Sequence, residues 1–163
     1  MQNFDGFCSV LRRRADAAAI LAGSAKYPDI HGMVLFYGLR GGVIVRAEIT
    51  GLPIGENSCD SPIFAFHIHG GGSCGGNDAD PFADAGTHYN PNDCPHPYHT
   101  GDFPPLFGAG GNAFSVFLTD RFTLPDILGK TVILHANPDD FATQPSGNSG
   151  EKIACGVITP TAR

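Results

Sequence analysis

Residues 30–52 read IHGMVLFYGLRGGVIVRAEITGL, and this stretch decides the fold class. Two runs, residues 30–39 and 43–52, are rich in β-branched and aromatic residues and flank the turn signal Arg40-Gly41-Gly42. This pattern predicts two antiparallel strands joined by a hairpin. Further strands are predicted outward from the hairpin at residues 17–23, 62–69, 112–119, 130–135 and 152–158. Short strands at regular spacing, without a strong helical pattern, predict an all-β antiparallel sandwich or barrel.

The composition favours one domain of this kind. The chain has 163 residues, and 42% of them are hydrophobic, which is enough for a substantial core. Its 22 glycines and 13 prolines favour many short strands and turns over long helices. We expect residues 1–14 to form a tail or short helix and residues 15–163 to form the domain.

The charge of the chain excludes some partners. The formal net charge of −6 leaves no basic surface for nucleic acid or anionic lipid. No run approaches the roughly 18 apolar residues that a membrane span requires. Residues 12–14 (RRR) precede ADAAAILAGSA, which is superficially like a secretion signal, but the apolar stretch is short and interrupted by Asp16. We therefore favour a lead-in to the first strand and a cytoplasmic protein, with an extracytoplasmic location as the minor alternative.

Six of the seven histidines lie in four short motifs that suit metal binding. The motifs are FAFHIH (residues 64–69), GTHYNP (86–91), CPHPYHTGD (94–102) and TVILH (131–135). Neutral imidazole is a good ligand for copper and for zinc. The histidines divide into two sets, one at strand ends and one in a long loop, which suggests two different metals. The seventh, His31, lies in an early strand and receives no metal role.

The first set lies at strand ends. Side chains alternate along a strand, so His67 and His69 project to one side while Ile68 enters the core. His135 ends another apolar strand. Alone, the H-x-H pair is consistent with two unrelated surface histidines, and His135 with an ordinary strand-end residue. Because further histidines accompany them, metal binding is the better interpretation of the H-x-H pair and of His135.

The second set lies in residues 70–102, which have no periodicity and are rich in Gly, Asp, Asn and Pro. So long a loop in a compact domain is usually functional, and bound metal could order it. His88, His96, His99 and Asp102 offer three imidazoles and a carboxylate, a good tetrahedral zinc set. Their spacing and Pro97 suit a folded loop rather than one helix face.

These motifs, in this order, resemble the copper/zinc superoxide dismutase family over nearly the whole chain. FAFHIH followed by GSC resembles the family's copper-binding strand and the first half of its disulfide. GTHYNP resembles the segment that carries the bridging histidine. HTGD resembles the end of the zinc loop, and KTVILH followed by DD resembles the last copper ligand and its loop. IACGVI resembles the terminal strand with the second disulfide cysteine.

The resemblance implies a Greek-key β-sandwich or flattened barrel of about eight strands with long metal-binding loops. It implies disproportionation of superoxide to oxygen and hydrogen peroxide at a redox-cycling copper. The implied copper ligands are His67, His69, His88 and His135. The implied zinc ligands are His88, His96, His99 and Asp102, with His88 bridging both metals as an imidazolate. Asp139 matches the carboxylate that links a copper histidine to a zinc histidine; without the resemblance, it would be a loop-solvating acid beside Asp140.

The five cysteines are an odd number, so at least one is unpaired within the chain. The resemblance implies a disulfide between Cys74 and Cys155. Cys8, Cys59 and Cys94 have no counterpart in the family. A Cys59–Cys94 bridge stays open, and a Cys94 thiolate, two residues before His96, could compete for zinc.

Two departures from the family pattern affect the expected chemistry. His96 and His99 are only three residues apart, where the family has a longer excursion, so the zinc set is the less secure one. The cation over the copper mouth is usually arginine, whereas Lys152 stands here beside Glu151. Lys152 and His88 are the predicted catalytic residues, with Lys152 capturing superoxide; its alternative is an ordinary solvated lysine. Long-range steering should be weak in so acidic a chain.

Two functional hypotheses remain from the sequence. The first is an active superoxide dismutase, and the second is a non-catalytic module of the same fold that carries copper or is stabilised by zinc. The complete copper set favours the enzyme. A copper-only dismutase is disfavoured because His96, His99 and Asp102 are present. The sequence leaves open whether the protein forms a homodimer.

Overall fold

The computed structural model describes residues 5–57 and 62–162. These residues form nine strands, two short helices and a 3-10 turn at Ala83–Ala85. In chain order the helices and strands are α1 Asp5–Arg12, β1 Ala17–Gly23, β2 His31–Leu39, β3 Gly42–Thr50, β4 Ile63–Phe64, β5 Phe66–His69, β6 Leu106–Phe107, β7 Asn112–Thr119, α2 Leu124–Ile127, β8 Thr131–His135 and β9 Lys152–Pro160. The predicted all-β class is confirmed.

Seven strands form one curled antiparallel sheet in the order β5-β8-β9-β1-β2-β3-β7, and β4 pairs with β6 in a second, small sheet. The chain crosses from one edge of the large sheet to the other between β3 and β5, and returns between β5 and β7. β4 directly precedes edge strand β5, and β6 contacts edge strand β7. The small sheet therefore connects the two edges, as a flattened Greek-key barrel requires.

The hairpin predicted from residues 30–52 is present. β2 and β3 pair continuously from His31↔Thr50 to Leu39↔Gly42. The turn needs only two residues, and Gly41 adopts φ 93°, a conformation that favours glycine. Alternate side chains of this hairpin enter one core with those of the other strands, including Val34, Phe36, Val45 and Ala47. Burial of that shared apolar face is what curls the sheet around a single core.

The structure differs from the predicted elements in a few places. The predicted strand at residues 62–69 is two strands, because the chain changes partner at Ala65: β4 pairs with β6, and β5 pairs with β8. The two-residue strand β6 and the single-turn helix α2 carry too little pattern to be predicted. α2 begins after Thr123, whose N–H and hydroxyl both donate to Asp126.

Helix α1 lies outside the barrel core. Val10 and Leu11 pack against a small cluster of Ala15, Tyr37 and Ile44. The division into a tail of residues 1–14 and a domain of residues 15–163 stays a prediction. Within the described residues, neither helix has the length and apolar character needed to cross a membrane.

Candidate metal centre

Four buried histidines meet at the barrel wall, and we call them the strand cluster: His67, His69, His88 and His135. His67 and His69 lie on β5, and His135 ends the neighbouring strand β8, where its N–H donates to the carbonyl of Ala65. As expected, Ile68 between the two β5 histidines enters the hydrophobic core. The donor atoms of the four rings all lie within 4.8 Å of one another.

His88 reaches this cluster from the long loop because the loop backbone runs alongside β5. The N–H of Tyr89 donates to the carbonyl of Ile68, and the N–H of Ile68 donates to the carbonyl of Gly101. Isolated bridges pair His69 with His88 and His67 with Asp102. Strand-like pairing therefore fixes both ends of the loop against the strand that carries two of the histidines.

Hydrogen bonds determine which nitrogen of each ring faces the cluster. A carbonyl can only accept, so Nδ1 of His69 donates to Gly86 at 2.8 Å and Nδ1 of His135 donates to Gly150 at 3.2 Å. In the neutral rings the proton is then on Nδ1, and Nε2 carries a lone pair. These two Nε2 atoms lie 3.2 Å apart. Two facing lone pairs repel each other, and a cation between them removes that repulsion.

Each of the other two rings has a buried nitrogen without a hydrogen-bond partner among the described residues. Nε2 of His67 donates to the Asp139 carboxylate at 2.7 Å, while its buried Nδ1 has no hydrogen-bond partner in the described part of the chain. The buried Nε2 of His88 is likewise without a partner there. Buried polar atoms are normally satisfied, so these two call for a ligand. Four convergent imidazole nitrogens fit copper or zinc.

A second group, which we call the loop cluster, shares His88 with the first: His88, His96, His99 and Asp102. Nδ1 of His88 lies 2.8 Å from Asp102 Oδ1 and 3.3 Å from Nδ1 of His99. Nδ1 of His96 lies 3.0 Å from Asp102 Oδ2, yet it makes no hydrogen bond of acceptable geometry. Three nitrogens and a carboxylate at these separations form a set that suits tetrahedral zinc.

His88 belongs to both clusters, and its Nδ1 contacts Asp102 and His99, which leaves its buried, unpaired Nε2 for the strand cluster. The two nitrogens of an imidazole point in opposite directions across the ring. A single deprotonated ring can therefore bind two cations at once. This arrangement is the one that a bridging imidazolate needs.

Asp139 links the two clusters from the outside. Its Oδ2 accepts from Nε2 of His67 at 2.7 Å, and its Oδ1 accepts from Nε2 of His96 at 2.8 Å. Both rings are thereby held with Nδ1 free to face a metal. Gly147 makes room for this contact: it has φ 68°, and a Cβ atom there would lie 2.0 Å from Asp139 Oδ1.

The environment keeps these groups in the protonation states that metal binding needs. Burial lowers the pKa of His67 to about 4 and that of His135 to about 3, and it takes the pKa of His69 well below its ordinary value. Burial also opposes ionisation of Asp139, but hydrogen bonds from His67, Phe141 and His96 prevail and lower its pKa to about 2. At neutral pH these imidazoles are neutral ligands and this carboxylate is charged.

Comparison with known proteins assigns the family. The family model for copper/zinc superoxide dismutase (SODC) matches residues 30–158. The chain belongs to the copper/zinc superoxide dismutase family. It is 32% identical over 151 residues to the Cu-Zn superoxide dismutase of Legionella pneumophila, covering 88% of this chain and 86% of the relative. It is 34% identical over 135 residues to that of Deinococcus radiodurans, covering 72% and 70%.

The extracellular Cu-Zn superoxide dismutase of Mus musculus is 35% identical over 143 residues, covering 80% of this chain but only 54% of the mouse protein. The chain thus spans about half the length of that relative and most of the length of the two bacterial ones. Family membership and the two donor sets together confirm the prediction of copper and zinc as cofactors.

Two residues that the sequence did not single out hold the loop cluster in place. Nη1 of Arg121 lies within hydrogen-bonding distance of the carbonyls of Pro97, His99 and Asp102. Gln144 accepts from the N–H of His96 at 2.9 Å and donates to its carbonyl at 2.8 Å. Neither residue belongs to a motif, so no local signal could have identified them.

The predicted disulfide between Cys74 and Cys155 is confirmed. It ties the loop after β5 to strand β9, and the packing of Phe82 and Ala85 against Ile133 and Cys155 reinforces that attachment. The alternative Cys59–Cys94 bridge involves Cys59, which lies outside the described residues. Cys94 is a free, half-buried thiol, and it is not among the donors of the loop cluster.

A cavity of about 610 Å³ opens over the strand cluster, and His69, His88 and His135 line its floor. Lys152 lines its wall, because Lys152 on β9 is the register partner of His135 on β8. Its ammonium donates to Asp80 Oδ2 at 2.7 Å and to the carbonyl of Phe82 at 3.1 Å. The predicted cation is therefore beside the candidate copper position, but it is engaged in an ion pair.

The seventh histidine lies away from both clusters. His31 bonds to the carbonyl of Asp29 and to the hydroxyl of Thr50 through its two ring nitrogens, on the exposed side of the β2–β3 hairpin. No metal role was predicted for His31, and it belongs to neither donor group.

Proposed function

We propose that this chain disproportionates superoxide with copper bound at the strand cluster and zinc bound at the loop cluster. Its activity as a superoxide dismutase, an oxidoreductase that acts on superoxide, follows from the family and from its relatives. The assignment of each metal to its cluster is the proposal. The observation that carries it is the placement of His88, which belongs to both donor sets, with Nδ1 beside Asp102 and a buried, unpaired Nε2.

The chemistry of the donors supports this assignment. The strand cluster consists of nitrogen donors alone, which suits a copper ion that alternates between two oxidation states. The loop cluster adds the carboxylate of Asp102, and this mixed set is typical of zinc. Copper, when bound, supplies the one-electron couple that the reaction needs, and zinc supplies a fixed positive charge.

The residues of the chain have separate roles in this proposal. His67, His69 and His135 fix the reaction centre, and the carbonyls of Gly86 and Gly150 hold the two Nε2 donors in position. His88 can hold a proton at Nε2 whenever that atom is not bound to metal. The conversion of two superoxide ions into oxygen and hydrogen peroxide consumes two protons. His88 can supply one of them. The cavity over His69, His88 and His135 gives a small anion access.

Metal analysis combined with a superoxide assay tests the proposal. The protein loaded with copper and zinc should bind one equivalent of each and remove superoxide in a pulse-radiolysis assay. Loading with zinc alone should fill the loop cluster without giving activity. One equivalent of copper with no activity would favour the non-catalytic module instead. Full copper activity with no bound zinc would favour a copper-only dismutase.

Three further expectations stay predictions. The predicted cytoplasmic location is untested by the relatives, since one of them is named as extracellular. Formation of a homodimer is testable by sedimentation of the metal-loaded protein. The expected lack of affinity for nucleic acid and membranes rests on the net charge of −6.

A further inference from the structure

The cavity over the strand cluster has an unusual charge arrangement for a site that receives an anion. Among the described residues that line it, the charged side chains are Asp80, Glu151 and Lys152. Glu151 is occupied elsewhere: it pairs with Lys26 and accepts a hydrogen bond from Tyr27. Lys152 pairs with Asp80. The one cation of this lining is therefore neutralised by a carboxylate in the same wall.

Asp80 is held firmly in the position that this pairing needs. Its Oδ1 accepts from the N–H of Phe82 at 3.0 Å, which leaves Oδ2 for Lys152 at 2.7 Å. Its own N–H donates to the side chain of Asn77. Burial opposes ionisation of Asp80, but the hydrogen bonds from Lys152 and from the N–H of Phe82, together with the charge of Lys152, prevail and lower its pKa, so the carboxylate is charged at neutral pH.

The ammonium of Lys152 is also turned towards the loop. Both of its acceptors, Asp80 Oδ2 and the carbonyl of Phe82, belong to the loop after β5. The side chain of Lys152 is 14% exposed, whereas that of Asp80 is 40% exposed. An anion that enters the cavity thus meets the carboxylate as readily as the ammonium.

We propose that Asp80 is a positioning residue that restrains Lys152, holding its ammonium on the loop wall and cancelling its charge, so that Asp80 limits how strongly the cavity attracts small monovalent anions. This inference rests on the proposed function, because it concerns anions that approach copper at the strand cluster. In this proposal, anion capture depends on Asp80 in the loop after β5 as well as on Lys152. Removing the carboxylate should free the ammonium to reach into the cavity.

Azide binding to the copper- and zinc-loaded protein tests this without measuring turnover. The Kd for azide, followed by the absorption of the copper–azide complex, should fall about tenfold at low ionic strength in Asp80→Asn. The difference should shrink as salt is added, since salt screens exposed charges. Asp78→Asn is the matched control, because Asp78 is an exposed acid of the same loop and its loss changes the net charge equally. It should change the Kd by less than about twofold.

A second background separates action through Lys152 from direct repulsion by the carboxylate. In Lys152→Met, the further change Asp80→Asn should tighten azide binding much less than it does in the native chain. If Asp80→Asn tightened azide binding equally in the native chain and in Lys152→Met, the proposed restraint of Lys152 would be wrong. An unchanged Kd in Asp80→Asn, or an equal effect of Asp78→Asn, would also contradict it.

Two measurements keep the outcomes distinct. Copper content is determined before each titration, so a chain that binds no copper contradicts the proposed function, whereas copper-loaded Asp80→Asn with native azide affinity contradicts only this inference. If Asp80→Asn does not fold, the native protein still decides. If Asp80 neutralises Lys152, the affinity of the native protein for azide should vary little with ionic strength. A steep loss of affinity with added salt would overturn the proposal.

Discussion

The two clusters of the metal centre share His88 but are built in different ways. Three of the four residues of the strand cluster lie on β5 and β8, whose backbones pair directly. The residues of the loop cluster lie between β5 and β6, where the described chain has no strand. The strand cluster is positioned by the sheet register, whereas the loop cluster is positioned by individual contacts.

This difference indicates which half of the centre depends on its metal. Backbone pairing between β5 and β8 fixes the positions of the histidines that these strands carry. The loop cluster gathers three imidazoles and a carboxylate, and individual contacts from Arg121, Gln144 and Asp139 support it beside the β5 pairing. Zinc should therefore contribute to the order of the loop, and copper chiefly to the chemistry.

The largest expected effect comes from removing one ligand from each cluster. His135→Ala should lower superoxide dismutase activity by more than the roughly 100-fold typical for loss of an outer partner, because it removes a direct ligand. It should leave zinc bound. His99→Ala should do the reverse: zinc is lost and thermal stability falls, while copper binding and part of the activity remain. Metal content, activity and Tm of both variants provide the measurement.

His31→Ala is the control for this pair, because His31 is exposed and belongs to neither cluster. It should retain both metals and native activity. If His135→Ala kept its activity, the redox site would not be the strand cluster. If His99→Ala lost copper as fully as His135→Ala, the proposed division into two sites would be wrong.

A smaller effect is expected where the two clusters are joined. Asp139→Asn leaves only one acceptor oxygen for two N–H donors, those of His67 and His96, so at least one ring loses its orientation. Affinity for both metals should fall about 10- to 100-fold, measured by competition with a chelator. Asp140→Asn, an exposed neighbour that caps its own turn through Thr143, should have little effect. Loss of only one metal would show that Asp139 does not couple the two sites.

The sequence was sufficient for most of the strands because apolar, β-branched and aromatic runs and the turns that bound them are local features. The β2–β3 hairpin and strands β1 and β7 were located by these features. The exchange of partners at Ala65 was not, because it depends on β6 and β8, which lie far along the chain. The two-residue strand β6 has no pattern of its own and exists only through pairing with β4.

The same distinction applies to the site. The two predicted ligand sets followed from motif resemblance, and the structure brings the residues of each set together. Lys152 was predicted as the cation over the copper mouth, but its pairing with Asp80, 72 residues away, could not be read from the sequence. Arg121 and Gln144 act on backbone carbonyl and N–H groups, which are common to nearly all residues whatever their side chains. Contacts of this kind leave no trace in residue identity, and only the folded chain reveals them.

The smallest expected effect tests the support of the loop cluster itself. Arg121→Met removes the guanidinium that lies near the carbonyls of Pro97, His99 and Asp102, while keeping a side chain of similar length. Losing hydrogen bonds from a charged donor should reduce the stability of the loop by about 1.5–3 kcal/mol. Part of this loss should appear as a Kd for zinc that is about tenfold higher. Arg40→Met, in the exposed β2–β3 turn, removes the same charge and should leave zinc affinity native. The affinity for each metal is measured by competition with a chelator. Copper affinity should change little, because strand pairing rather than Arg121 positions the strand cluster. An equal loss of copper affinity would contradict the contrast between the two clusters.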